Sequence, residues 1–128
     1  AFSRVVRCCA EPRPGHEGTW IDDAMVAAYG RLNALGYAHS IECWAHGELV
    51  GGLYGVSLGR VFFGESMFTR QTDASKVALA HLCSLPFELI DCQLPNQHLA
   101  SLGAEPIPRA LFEQILARLV DQNPVDVT

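Results

Sequence analysis

The sequence predicts an α/β sandwich in which helices cover a mostly antiparallel sheet. Three observations carry that expectation. Apolar residues recur at helical spacing near both ends of the chain. A glycine-punctuated central stretch changes to short extended runs. A strand-like run, "ELIDCQLP" (88–95), follows a helical segment rather than a hairpin turn. The 128 residues suit a single domain, 1–128, and 49 % apolar residues suffice for a packed core.

Taken in order, "AFSRVVRCC" suits a short helix with Phe2, Val5, Val6 and Cys9 on one side. The Pro- and Gly-rich "AEPRPGHEGTW" (10–20) reads as a linker. Asp22 then suits the N-cap of "DAMVAAYGRLNALG", with Met25, Tyr29 and Leu32 at helical spacing and Gly36 just past the end. "HSIECWAHGELVGGLYGVSLGRVFFGES" divides into three short strands, with turns expected at His46-Gly47 and Leu58-Gly59. Gly51, Gly52 and Gly55 fall inside the middle strand, which signals a bulge, a bend or a close approach. A helix follows over "DASKVALAHLCSL", capped near Asp73 or Ser75. After the strand at 88–95, "NQHLASLG" suits a short helix between Asn96 and Gly103. "IPRALFEQILARLV" suits a last helix with Pro108 near its first position.

Composition narrows the function classes. No run reaches the ~18 apolar residues of a membrane span, and the first residues lack a leader's apolar region. The chain does not begin with Met and reads as a fragment of a longer protein. Its five cysteines, Cys8, Cys9, Cys43, Cys83 and Cys92, are scattered without a CxxC pair, as expected of a reducing compartment. The histidines His16, His39, His46, His81 and His98 form no HExxH, so no metal site is expected. A net charge of −5 argues against a broad nucleic-acid surface but leaves room for a local basic patch.

Several side chains admit both a chemical and an ordinary reading. On the strand "LIDCQL", Asp91 and Gln93 project together while Ile90, Cys92 and Leu94 project the other way. The polar pair is either the wet face of a strand or part of a site. Glu65, after Val61-Phe62-Phe63-Gly64, is either a solvated strand terminus or a site carboxylate. Arg70 and Lys76 flank a helix start, which suits an anion site or plain surface charge. Leu79, Leu82 and Cys83 form core or the wall of an apolar pocket. His98 suits a cap or surface position. Cys8-Cys9 lacks a nucleophile's surroundings, and Ser66 and Ser75 lack a His-Asp escort, so a hydrolase triad is unsupported.

The words "EGTWI", "GELVGGLYGVSLGRVFFGESMF", "ASKVAL", "LIDCQ" and "HLASLGAEPIPR", in that order, resemble the leucyl/phenylalanyl-tRNA–protein transferase family from about Ala1 to Arg109. The resemblance implies a GNAT-like acyltransferase fold in the cytoplasm, without a cofactor or a membrane partner. It implies transfer of Leu or Phe, and less well Met, from aminoacyl-tRNA to the α-amine of proteins beginning with Arg or Lys. Proteins so marked enter N-end rule degradation. It also implies roles. Gln93 orients the attacking amine, Asp91 anchors that network, and Glu65 binds the acceptor's cationic residue or steadies its amine. Leu53, Phe62, Leu79 and Leu82, with Ile90, line the pocket for the transferred side chain. Arg70 and Lys76 approach tRNA phosphate, and the terminal adenine stacks on an aromatic.

Three departures stand against the family's pattern. An N-terminal subdomain is missing. "CSLPFE" is shorter by about one helical turn, so nothing is carried onto residues 84–88. The stretch "RQTDAS" (70–75) has neither glycine of the usual GNAT phosphate loop, which argues against coenzyme A. The alternatives are a coenzyme A-dependent N-acyltransferase and a folded fragment that binds without turnover.

Overall fold

A computed structural model describes residues 2–11, 22–91, 108–122 and 124–127. Its elements are α1 (Phe2–Ala10), α2 (Asp23–Ala34), β1 (Ala38–Ala45), β2 (Glu48–Leu58), β3 (Val61–Thr69), α3 (Ala74–Ser84), β4 (Leu89–Asp91) and α4 (Arg109–Leu119). The strands form one sheet in the order β1-β2-β3-β4. β1–β2 and β2–β3 are antiparallel, and β3–β4 is parallel. The architecture is therefore mixed α+β, and the sheet is mostly antiparallel with one parallel pair at β3–β4. Helix α3 forms the crossover that a parallel neighbour needs. Most of the linker-like stretch, the proposed helix from Asn96 to Gly103, and residues beyond Asp91 in its strand lie outside the described residues.

Local chemistry fixes the boundaries. The Asp22 carboxylate accepts from the Met25 N–H at 2.9 Å and starts α2. Gly36, at φ +86°, ends it. There Tyr37 N–H reaches Leu32 C=O at 2.9 Å and Gly36 N–H reaches Asn33 C=O at 3.0 Å, the paired bonds of a Schellman motif. His46 and Gly47, both at positive φ, close the first hairpin with the backbone of a type I′ turn. The second turn falls one residue later than expected, at Gly59-Arg60, because Leu58 still pairs with Val61. Asp73 does precede α3, but at φ 66° it makes no side-chain capping bond. Pro108 sits one position before α4.

The sheet separates two cores. On one side, Phe2, Val5, Val6, Cys8, Cys9 and Val26 of α1 and α2 pack on Ala38, Leu49, Tyr54 and Phe68. On the other, Ala78, Leu79 and Leu82 of α3 pack on Ile41, Leu53 and Phe62. Neighbouring Leu53 and Tyr54 go to opposite cores, as strand alternation requires. Gly51 lets α3 seat on the sheet: a Cβ there would lie 2.5 Å from that of Ala74.

One turn residue ties three segments together. Arg60 donates its N–H to Leu119 C=O at 3.0 Å, at the end of α4. Its own C=O accepts from Glu88 N–H at 2.9 Å and Leu89 N–H at 3.4 Å, where β4 begins. Its guanidinium reaches Pro86 C=O at 3.4 Å.

Candidate active site at the bulge of strand β3

Tyr54 pairs with Ser66 and Gly55 with Gly64, so the register shifts and Glu65 is the extra residue of a β-bulge. Gly55 is the residue that allows this approach, since a Cβ there would lie 2.2 Å from the Phe63 carbonyl oxygen. The middle-strand glycines thus announce a bulge whose extra residue lies on the next strand. The half-buried Glu65 accepts a hydrogen bond from the Tyr29 hydroxyl of α2, which places the carboxylate on the α1/α2 side of the sheet. Burial, reinforced by the charge and hydrogen bond of Glu65, pushes the Tyr29 phenol up to about 12.

Tyr54 stands behind this pair. Its ring meets Tyr29 edge-on at 5.1 Å between centroids and Phe2 at 6.1 Å. Burial first, then Tyr29, Cys9 and Glu65, raises its phenol pKa. The Tyr54 hydroxyl is buried without a hydrogen-bond partner among the described residues.

Asp91 is the last described residue of β4, in register with Phe63. Ile90 packs against the α3-side core, so alternation turns Asp91 to the face that carries Glu65. One strand spacing across and two residues along separate their Cα atoms by roughly 8 Å. The two acids are thereby neighbours on one face. Gln93, the third member of the expected set, lies outside the described residues, as does His98.

The expected pocket residues also come together, but across the sheet. Leu53, Phe62, Leu79 and Leu82 are buried in one cluster, with half-buried Ile90 against it. Met67 and Phe87 join them, and Phe87 packs edge-on to Phe62 at 5.3 Å. Ile90 therefore belongs with the apolar set, for the same alternation that turns it from Asp91. Sequence reasoning missed Phe87 because its loop was set aside. It missed Tyr29 as a partner of Glu65 because helical spacing marked that residue only as core; a buried tyrosine's need to place its hydroxyl was the available signal.

The two expected phosphate ligands are not gathered into one patch. Arg70 lies against the end of α1, bonded to Glu11 Oε2 at 2.7 Å and Oε1 at 2.8 Å and to Cys8 Sγ at 3.4 Å. The hydrogen bond to Glu11 raises the Arg70 pKa further. Lys76 meets Asp73 at 3.5 Å on α3. Both pairs are solvent-exposed, where an ion pair contributes little to stability.

Among the described residues Cys8, Cys9, Cys43 and Cys83 form no disulfide. No group of three or more His, Cys, Asp or Glu side chains among them could hold a metal ion. No described helix is long and apolar enough to cross a membrane.

The family profile described as leucyl/phenylalanyl-tRNA protein transferase matches residues 1–117. A curated protein of that name from Thiobacillus denitrificans is 60 % identical over 125 residues, covering 94 % of this chain and 55 % of its own length. Those from Aromatoleum aromaticum and Syntrophobacter fumaroxidans are 56 % and 58 % identical, over 97 % and 95 % of this chain and 54 % of their own lengths. The chain thus spans about half the length of these relatives. A profile match over most of the residues, with identity at this level, means that the chain belongs to the leucyl/phenylalanyl-tRNA–protein transferase family.

Proposed function

We propose that this chain is the catalytic part of an aminoacyltransferase with a GNAT-like fold. It moves Leu or Phe, and less well Met, from aminoacyl-tRNA to the α-amine of a protein beginning with Arg or Lys, and so commits that protein to degradation. The observation that carries this reading is the 60 % identity to a relative named for the activity, extending over 94 % of the chain. On the structural side, Glu65 at the bulge and Asp91 on the adjacent strand β4 share one face of the sheet, and the apolar set assigned to the donor lies on the other.

The chemistry asks little of a general base. The donor is an activated ester, and the acceptor α-amine has a reference pKa of about 7.7–8.0, so a useful fraction is neutral at pH 7. Alignment of the reactants supplies ~7–11 kcal/mol in favourable cases, against ~3–5 kcal/mol from general-base catalysis. Positioning therefore dominates. Glu65 attracts the cationic side chain of the acceptor's first residue or steadies its amine. Asp91 anchors the neighbouring Gln93, whose amide oxygen accepts a hydrogen bond from the attacking amine. Backbone N–H groups near the bulge are assigned to the developing oxyanion.

The donor side chain is assigned to Leu53, Phe62, Leu79, Leu82 and Ile90. These residues touch one another in the free protein, so a leucyl or phenylalanyl group must part them to enter. Crowding near Cβ would then exclude Val and Ile. Arg70 and Lys76 are assigned to tRNA phosphate, exchanging Glu11 and Asp73 for it. Coenzyme A fits less well: the turn before α3 lacks the phosphate-loop glycines and places the Asp73 carboxylate beside the helix N-terminus.

The test is transfer of labelled Phe from Phe-tRNA to an Arg-starting peptide, by this chain alone and joined to the remainder of a family-length protein. Asp91→Ala and Gln93→Ala should each lower transfer at least tenfold while thermal unfolding stays cooperative. Wild-type rates in both variants would remove the site assignment. Silence of the joined wild-type protein would remove the activity itself.

A further inference from the structure

The buried Tyr54 hydroxyl has no duty in the scheme above. Its ring is fully buried, at 0 % exposure, and its oxygen has no partner among the described residues. Leaving a buried hydroxyl unpaired is destabilising, a cost that phenylalanine at the same place would not incur. The neighbours would accept phenylalanine readily: Phe2 and Tyr29 meet the ring edge-on, and the rest of that core is apolar. Packing alone therefore does not account for the oxygen.

Its location does. Tyr54 occupies the β2 position opposite Ser66, directly beside the bulge that presents Glu65. The Tyr29 ring covers it, and Tyr29 is the residue whose hydroxyl bonds Glu65. Both phenols thus lie on the face of the sheet that carries Glu65, Tyr29 bonded to the carboxylate and Tyr54 packed beneath Tyr29. Burial and the nearby carboxylate raise both phenol pKa values, so both groups remain donors at neutral pH.

We propose that Tyr54 is a positioning residue for Glu65: when the cationic end of the acceptor reorients the carboxylate, the Tyr54 hydroxyl supplies a second donor and fixes the carboxylate in its substrate-binding geometry. The inference rests on the transferase reading and deepens it, because it concerns recognition of the acceptor rather than of the aminoacyl donor. A carboxylate held by two phenols is restricted in rotation, and that restriction discriminates between an N-terminal Arg or Lys and a neutral residue.

Tyr54→Phe tests it. In the family-length protein, KM for an Arg-starting peptide should rise about ten- to a hundredfold, the size of one hydrogen bond to a charged group, with KM for Phe-tRNA unchanged. The melting temperature should stay the same or rise, since an unpaired buried hydroxyl is removed. Adding Tyr54→Phe to Glu65→Gln should have no further effect on acceptor KM, because the hydroxyl acts through the carboxylate. An unchanged acceptor KM in an active Tyr54→Phe protein overturns the inference and leaves the transferase reading intact. Equal losses in the wild-type and Glu65→Gln backgrounds also overturn it, by showing an effect on packing alone. If the wild-type protein transfers nothing, the activity assignment fails first and the inference falls with it.

Discussion

The two faces of the sheet are built from the same strands and do different work. The α3 face is wholly apolar at its centre: Phe62, Leu79 and Leu82 interlock there. The α1/α2 face is mostly apolar too, yet Tyr29, Tyr54 and Glu65 carry oxygen atoms into its edge. One face gains stability from burial. The other gives up some of that gain to hold polar groups in a fixed arrangement. The bulge at Glu65 connects them, because it changes which residues of β3 look to which side.

Substitutions can break or sharpen this contrast. The largest effect belongs to the apolar face: Phe62→Ala, at a side chain with 0 % exposure, should cost about 3–5 kcal/mol in urea unfolding. A loss under 1 kcal/mol would mean that the α3 core is already open and not a closed pocket. On the opposite side, Asp22→Ala should cost ~1 kcal/mol by removing the cap of α2. That loss should be accompanied by weaker acceptor binding, since α2 carries Tyr29.

Tyr29→Phe probes the polar edge through pH. Its phenol is raised in the folded protein, so the folded state binds the proton more tightly than the unfolded state does. This contribution is complete below the unfolded pKa of about 10 and disappears as pH rises toward about 12. Chemical denaturation across that window should show a decline in stability that Tyr29→Phe makes shallower. An identical decline in both proteins would place the responsible group elsewhere. The smallest structural effect is expected of Lys76→Gln: stability should move by less than ~0.5 kcal/mol, while the salt slope of tRNA binding falls by about one unit. An unchanged slope would return Lys76 to ordinary surface charge.

Residues acting over short stretches of chain were legible in the sequence. Asp22, Gly36 and His46-Gly47 each specify backbone geometry within a few positions, and each does so here. The pattern of α1 was also plain, because Phe2, Val5, Val6 and Cys9 fall on one buried side. The second hairpin was misplaced by one residue: glycine marks positive φ but does not say which turn position it fills. Asp73 looked like a cap from its residue type, yet its left-handed backbone turns the side chain toward Lys76 instead. The site was legible only in part. The type and position of Glu65 and Asp91 made them candidates, whereas their shared face depends on register between β3 and β4. The phenols beside Glu65 depend on how α2 crosses the sheet, which no local pattern encodes.

Arg60 lies at the turn of the hairpin, several residues from the bulge, yet its C=O receives the chain as it enters β4 and its N–H grips the last turn of α4. Sliding that entry by a single residue would point Asp91 through to the opposite side of the sheet and leave Glu65 alone. The alignment of the two acids is thus decided at a distance, by an amide and a carbonyl outside the candidate site. Changes confined to the C-terminal helix can consequently separate the two acids while both side chains are still present.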